Sequence, residues 1–348
     1  MSTTDDASHP WRIDSNVIAS QVEIHREWGG VVPEIASRQH VRDICGVTER
    51  ALADAGTSWA GIDAIAVTQG PGLVGSLLVG VAYAKAAAAT LSKRLIAVHH
   101  LAGHIESIFL EHGNVPLPCL VLVVSGGHTF LVEMRDHLTY RLLGETVDDA
   151  AGEAFDKVGR LLGLPYPGGP SIQRAAETAT RHDAAFPRAW LGDSYDFSFS
   201  GLKTAARRTV DAARAEEGLR PDDPDGRLSD DATAELAWGF QDSVVDVLTT
   251  KTVRAAEAVG ARSIVLGGGV AANGPLRNRL AAAATGLGVP LVVPRPGLCT
   301  DNGAMIGAAA ARRLAAGDLA GLDLDARPSL PLARAEPAVT APAEAAAT

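Results

Sequence analysis

Cysteine is scarce in this chain. Its 348 residues hold three, Cys45, Cys119 and Cys299, widely spaced and without a CxxC pair. An odd number at such spacing excludes a disulfide framework and a thiolate zinc site, and predicts free thiols in a reducing compartment. Net positive charge is missing too. The formal charge is −10, which argues against holding nucleic acid by bulk attraction. A local basic patch could still dock an RNA, because partner attraction depends on charge distribution as well as the sum. No uninterrupted apolar run reaches the ~18 residues of a membrane span. The first ten residues are polar and acidic, with neither the basic nor the apolar region of a secretory signal, so a cytoplasmic protein is expected. No short tandem repeat is present.

What the chain does have is length and apolar content, 47% hydrophobic, enough for two domains or one large one. Residues 1–10 read as disordered, 11–116 as an N-terminal lobe, 117–330 as a C-terminal lobe and 331–348 as a disordered Ala/Pro/Glu-rich tail. The last helix, from about Asp301, is expected to pack back on the first lobe. Within the lobes, Glu34 to Gly56 reads as an amphipathic helix ending at a glycine. IDAIAVTQG reads as a strand entering a Gly-Pro-Gly turn, and LVGSLLVGVAYAKAAAATL as an apolar helix. CLVLVVSGGHTFLVEM reads as a hairpin turning at Ser125-Gly126-Gly127. Val147 to Leu164 is predicted helical, and Ala212 to Asp231 is predicted to be a polar loop. The alternation of strands and helices points to an α/β architecture with functional loops at strand ends.

His100 and His104 carry the sharpest chemical signal. Four residues apart on a helix, their imidazoles share a face about 6 Å apart at Cβ, the spacing by which one helix gives a metal two ligands. A solvated or core-packed pair has the same spacing. His99 points elsewhere, since adjacent helical positions diverge. Asp301, just ahead of the helical pattern Gly303 to Ala315, is a third ligand candidate, favoured by the helix dipole. Two histidines and one carboxylate would leave positions open for substrate.

Two glycine-rich turns follow strong strands: Val123 to Thr129 and Leu266 to Asn273. Glycine lets backbone N–H groups approach phosphate oxygens, although either run also serves as an ordinary tight turn. Together they suggest a nucleotide gripped at both ends, phosphates at Ser125–Gly127 and nucleoside at Gly268–Asn273. Between them lie Glu145, Asp148, Asp149, Glu153 and Asp156. On a helix, Asp149, Glu153 and Asp156 share a face; they could bind a ribose hydroxyl or simply form an acidic helix start. PGGP (Pro167 to Pro170) reads as a rigid turn, and FSFSGLKTA (Phe197 to Ala205) as a segment suited to RNA or partner docking, or as plain amphipathic structure.

GGVVPEIASRQH, TQGPGLVGSLLVG, VHHLAGH, VVSGGHT, GETVDDAAGEAFDKVGRLLGLPYPGGP, FSFSGLKTA, LGGGVAAN and CTDNGAM, in that order, resemble the TsaD (Gcp/YgjD) family over about residues 15–330. The resemblance implies the ASKHA (actin, sugar kinase, Hsp70) two-lobed α/β fold with a nucleotide in the cleft. It implies one divalent metal ion per subunit, Fe2+ in the first place and Zn2+ in the second, held by His100, His104 and Asp301. It assigns Val123, Val124, Ser125, Gly126, Gly127, Asp156, Gly169 and Asn273 to threonylcarbamoyl-AMP. The implied activity is tRNA N6-adenosine threonylcarbamoyltransferase: the group passes to N6 of the adenosine adjacent to the anticodon. The implied partners are tRNA, a small non-catalytic paralogue and an ATPase (TsaB and TsaE type). No catalytic side chain is identified.

The chain departs from the family at its start. Members open with a strand and a phosphate loop of the type GIETSCDETG, whereas MSTTDDASHPWRIDSNVIASQ has no such loop. The N-terminal lobe is therefore expected to be incomplete, with an unpaired strand edge. A truncated, catalytically impaired metal- and nucleotide-binding paralogue is the alternative reading, and an ASKHA kinase or ATPase a weaker one. A metalloprotease fits poorly, because HHLAGH has no glutamate between its histidines.

Overall fold

Two short strands open the chain, β1 (Ser2–Thr3) and β2 (Trp11–Arg12), paired antiparallel. The structure, a computed structural model, describes residues 1–6, 9–28, 30–220 and 226–332. Within that range the pairing corrects the expectation of disorder over residues 1–10. Asp14 ties the hairpin down, accepting from Arg12 Nε at 2.9 Å and Ser2 Oγ at 3.1 Å. Helices α1 (Val22–Arg26) and α2 (Pro33–Asp54) follow, α2 with proline in its first turn, where a missing N–H costs nothing. Strand β3 (Ala64–Gly70) pairs in parallel with β4 (Arg94–His99) through the intervening α3 (Val74–Leu91). Among the described residues these two strands make up the N-terminal sheet.

Helix α3 is, by length and composition, apolar enough to cross a membrane, with a mean hydropathy of 1.5. The run-length expectation of no such segment is corrected to that extent. Leu77, Val81, Ala84 and Ala88, one turn apart, form its buried stripe. Val81, Ala84 and Ala88 meet Val67 and Leu95 of the sheet. Lys85 Nζ donates to the carbonyl of Leu324 at 2.8 Å, tying α3 to the later chain.

Helix α4 (His100–Glu106) grows directly from the end of β4, and α5 (Phe109–His112) leads to the second lobe. Strands β5 (Cys119–Val124), β6 (Thr129–Asp136) and β7 (Thr139–Glu145) form an antiparallel meander. All six residues of β5 are buried, as its unbroken apolar run requires. The chain then passes through α6 (Ala151–Leu161), α7 (Gly168–Ala176), α8 (Ser200–Glu216) and α9 (Asp230–Val259). Strand β8 (Ser263–Gly267), α10 (Gly274–Leu287) and β9 (Leu291–Val292) complete a sheet of order β7-β6-β5-β8-β9, with β8 parallel to β5 and β9 parallel to β8. Helices α11 (Pro296–Cys299) and α12 (Gly303–Ala315) end the helical part.

The main core lies on one face of this sheet. Phe155 of α6 and Phe240 of α9 meet edge-on at 5.3 Å between ring centres. Phe197 and Phe199 are buried in the same cluster, so the FSFSGLKTA segment spends its aromatics on packing rather than on docking. Lys251 is fully buried on α9, where its Nζ donates to the carbonyls of Trp190, Ser194 and Asp196 at 2.6–2.7 Å. Helix α12 packs Ala309 and Ala310 against Ile96, Val98 and Ala102, placing the late chain beside α4. Leu332 is buried with Leu101 and Ile105, so the expected disordered tail does not begin at 331; residues 333–348 lie outside the described residues. The polar loop expected over 212–231 is shorter, since α8 runs to Glu216 and α9 starts at Asp230.

Candidate metal centre and nucleotide cleft

A strand end, a hairpin turn and two helix starts converge at one edge of the cleft. His100 is the first residue of α4. His99 caps that helix, its Nδ1 accepting from Leu101 N–H at 3.2 Å, while its Nε2 lies 3.2 Å from the Leu330 carbonyl. His99 thus faces away from the other two rings. His100 and His104 meet edge-on, ring centres 4.8 Å apart. Asp301 comes from the other end of the chain, immediately before Asn302, which caps α12 by accepting from Met305 N–H at 2.9 Å. Asp301 Oδ1 lies 3.1 Å from His104 Nε2 and 3.7 Å from His100 Nε2.

These three side chains offer donor atoms within 4.8 Å of one another. His104 is buried, and Asp301 is the one group its Nε2 meets among the described residues, at 3.1 Å. A buried imidazole nitrogen and a carboxylate oxygen this close are a donor pair that one ion can bridge. Burial pushes His100 down to about 4, so its ring is neutral and its lone pair free to bind. Burial pulls the Asp301 carboxyl upward, but His104, His100 and His128 outweigh it and hold it at about 2. The carboxylate stands at a rim: 75% of its side chain is open to water although protein surrounds the site. Two imidazoles and an ionised carboxylate suit a divalent transition ion with open positions.

His128 stands next to this group, its ring centre 5.8 Å from that of His100. Its N–H donates to Ser125 Oγ at 3.1 Å and its carbonyl accepts from Ser125 N–H at 2.7 Å, closing the turn between β5 and β6. Burial, then His104, depresses its basicity, against the pull of Asp301 and Glu145. The sequence reading named its motif without giving this ring a role.

The same turn exposes Gly126 and Gly127. Their amides donate to no acceptor among the described residues, and a Cβ at either position would meet nothing within 4 Å. Two free donors with open space above them form a cradle for an anion. The turn is clamped from both sides. A Cβ on Gly152, in the first turn of α6, would stand 2.5 Å from the Ser125 carbonyl. Gly268, at φ +86°, brings the second glycine turn onto the Val124 carbonyl. Val123 and Val124 themselves are fully buried in the sheet, so only their backbone at the strand end borders the cleft.

The acidic residues divide sharply. Asp148 and Asp149 precede α6 rather than sharing its face. Asp148 caps α8, accepting from Phe199 N–H and Ser198 Oγ, and Lys157 pairs with Asp149 and Glu153. Of these acids, Asp156 lines a cavity, where burial raises its pKa, only partly offset by Gly168 N–H donating at 2.7 Å. Gly169 sits in the first turn of α7 with open space where a Cβ would be. Asn273 is nearly buried: it caps α10 by accepting from Leu276 N–H and donates to Gln241 Oε1 at 2.8 Å.

Comparison with known proteins places the chain. Residues 12–308 match the family described as "TsaD: tRNA N6-adenosine threonylcarbamoyltransferase". The tRNA N6-adenosine threonylcarbamoyltransferase of Moorella thermoacetica is 53% identical over 324 residues, covering 92% of this chain and 91% of that protein. The protein of the same description from Bacillus subtilis is 49% identical over 323 residues, covering 92% and 89%. Among solved structures, full-length HypF in its phosphate- and nucleotide-bound form superposes with a TM-score of 0.54 at 14% identity, covering 77% of this chain and 41% of that one. That likeness is one of fold.

Proposed function

The chain belongs to the TsaD family of tRNA N6-adenosine threonylcarbamoyltransferases, and from that membership we propose how its cleft performs the transfer. The protein is an acyltransferase of the ASKHA fold that modifies tRNA in a metal-dependent reaction. It moves the threonylcarbamoyl group of threonylcarbamoyl-AMP to N6 of the adenosine adjacent to the anticodon. The new C–N bond replaces the bond between the carbamoyl carbon and a phosphate oxygen; AMP leaves with that electron pair, and the amine gives up one proton.

The observation that carries the reading is the adjacency of two built features: the His100–His104–Asp301 donor set and the open amides of Gly126 and Gly127. When bound there, a divalent ion, Fe2+ before Zn2+, supplies a Lewis acid. The Ser125–Gly127 turn holds the phosphate and stabilises the departing AMP. Asp156 accepts from a ribose hydroxyl, the start of α7 at Gly169 borders the nucleoside, and Asn273 fixes the start of α10 beneath it. Val123 and Val124 hold the turn in register.

tRNA and small partner proteins, a non-catalytic paralogue and an ATPase of the TsaB and TsaE type, complete the cycle in the cytoplasm. The exposed apolar side chains Leu73, Val74 and Leu78, at the start of α3, offer a face for one of them. A catalytically impaired member of the family is the second reading. The two-stranded N-terminal sheet favours it. In vitro transfer from threonylcarbamoyl-AMP to tRNA, after chelation and again after Fe2+ or Zn2+ is restored, separates the two: activity that returns with metal supports the first, and none under any condition supports the second.

A further inference from the structure

Beside the nucleotide cleft a cavity of about 310 Å³ opens between the lobes. Asp156 and Gly168 line it. Its walls come from opposite ends of the site: Arg26 and Trp28 from the N-terminal lobe, Arg160 and Tyr166 from the C-terminal one. Two observations define what it can take. First, the charges on its lining balance. Arg26 and Arg160 line the cavity together with the carboxylates of Asp156 and Glu27, and Arg26 is bonded to Glu23 at 2.6 Å. A balanced lining gives a phosphate no net attraction, so the cavity suits an uncharged group. Second, both aromatic side chains are exposed: Trp28 to 62% and Tyr166 to 38%. Exposed indole and phenol faces bordering one cavity suit a flat ring system.

Trp28 is held where it is. His25 is buried, its Nδ1 accepting from Val32 N–H at 3.3 Å and its Nε2 lying 3.2 Å from Gln21 Oε1. Trp28 N–H in turn donates to the His25 carbonyl at 3.1 Å. The segment is folded around His25, and the indole is its outward projection over the cavity.

We propose that Trp28 reaches across from the N-terminal lobe and closes over the nucleoside of the threonylcarbamoyl-AMP donor, making it a substrate-binding residue of this enzyme. The inference rests on the assignment of Asp156 and Gly169 to the donor, and adds an element from the opposite lobe. Because stacking on a ring face tolerates any base, Trp28 sets affinity and leaves discrimination between bases to other groups.

The test uses AMP as probe with the full-length, metal-loaded chain. The five tryptophans are Trp11, Trp28, Trp59, Trp190 and Trp238. AMP is expected to change the intrinsic emission of the wild-type chain and to leave that of Trp28→Phe largely unchanged. By calorimetry, Trp28→Ala is expected to bind AMP roughly 10-fold more weakly or worse, the scale of one lost base–aromatic stack, with Trp28→Phe close to wild type. In transfer assays the alanine variant raises KM for the donor more than it lowers kcat. Wild-type AMP affinity in Trp28→Ala, alongside weakened binding in Asp156→Asn, overturns the role of Trp28 alone. Unchanged affinity in both variants overturns the nucleotide assignment on which it rests.

Discussion

His104 Nε2 and Asp301 Oδ1 lie 3.1 Å apart, one on the helix that ends β4 and the other ahead of the last helix of the chain. The fold brings them together by packing α12 on α4 and β4 through small residues, Ala309 and Ala310 against Val98 and Ala102. Together with His100 they form a cluster of donor atoms that could hold a metal ion.

Replacing His104 by alanine removes the most buried of the three candidate ligands. The variant is expected to fold, with wild-type circular dichroism, and to lose bound metal when analysed by mass spectrometry after purification. Full occupancy would remove His104 from the ligand set.

Glu106, two residues on, is buried and holds the helix in place. It accepts from Tyr140 Oη at 2.7 Å, lies 3.1 Å from His137 Nδ1 and faces Arg312 of α12 at 3.9 Å. Glu106→Ala breaks a buried network that links α4 to α12 beside the candidate metal site. Loss of a buried charge partner costs about 3–5 kcal/mol. A lower urea midpoint and weaker metal retention are expected together, and an unchanged midpoint would show that the network contributes little.

Gly268→Ala puts a Cβ on the Val124 carbonyl at a left-handed backbone position. Strain of about 1–3 kcal/mol from the backbone conformation alone is expected, more with the clash. Thermal unfolding measures it. A variant as stable as the parent would mean that the two glycine turns do not pack as described.

His128 makes no ligand contact of its own, yet its ring stands beside that of His100 at the mouth of the cradle. His128→Ala is expected to keep its metal and to lose roughly 100-fold in turnover, the scale of misplacing a reacting group by about 1 Å. Wild-type kcat with wild-type metal content would make it a spacer.

Much of this site was legible in the residues. The His100–His104 spacing, the two glycine turns and the hairpin between β5 and β6 follow from local pattern, because each depends on neighbours close in sequence. What was hidden depends on tertiary placement. The role of His128 is set by how the turn closes through Ser125, which no periodicity reports. Lys251 carries no signal in the sequence; the carbonyls of Trp190, Ser194 and Asp196 that surround it come from a distant segment. Trp28 follows a five-residue helix, too short for a periodic signal, and its meaning comes from Tyr166 on the other lobe. The acids of the α6 segment look alike in sequence. Spacing alone does not separate them; the family resemblance singles out Asp156, and packing shows it on the cavity while Asp148 is spent on a helix cap.

The central claim is that this chain transfers a threonylcarbamoyl group to tRNA through the His100, His104 and Asp301 site. The most direct measurement is nucleoside mass spectrometry of tRNA from cells depleted of their own synthase and supplied with this chain. The account predicts that threonylcarbamoyladenosine returns with the wild-type chain and fails to return with His104→Ala expressed to the same level. Full modification by the His104 variant, or none by a wild-type chain that is folded and metal-loaded, would contradict it.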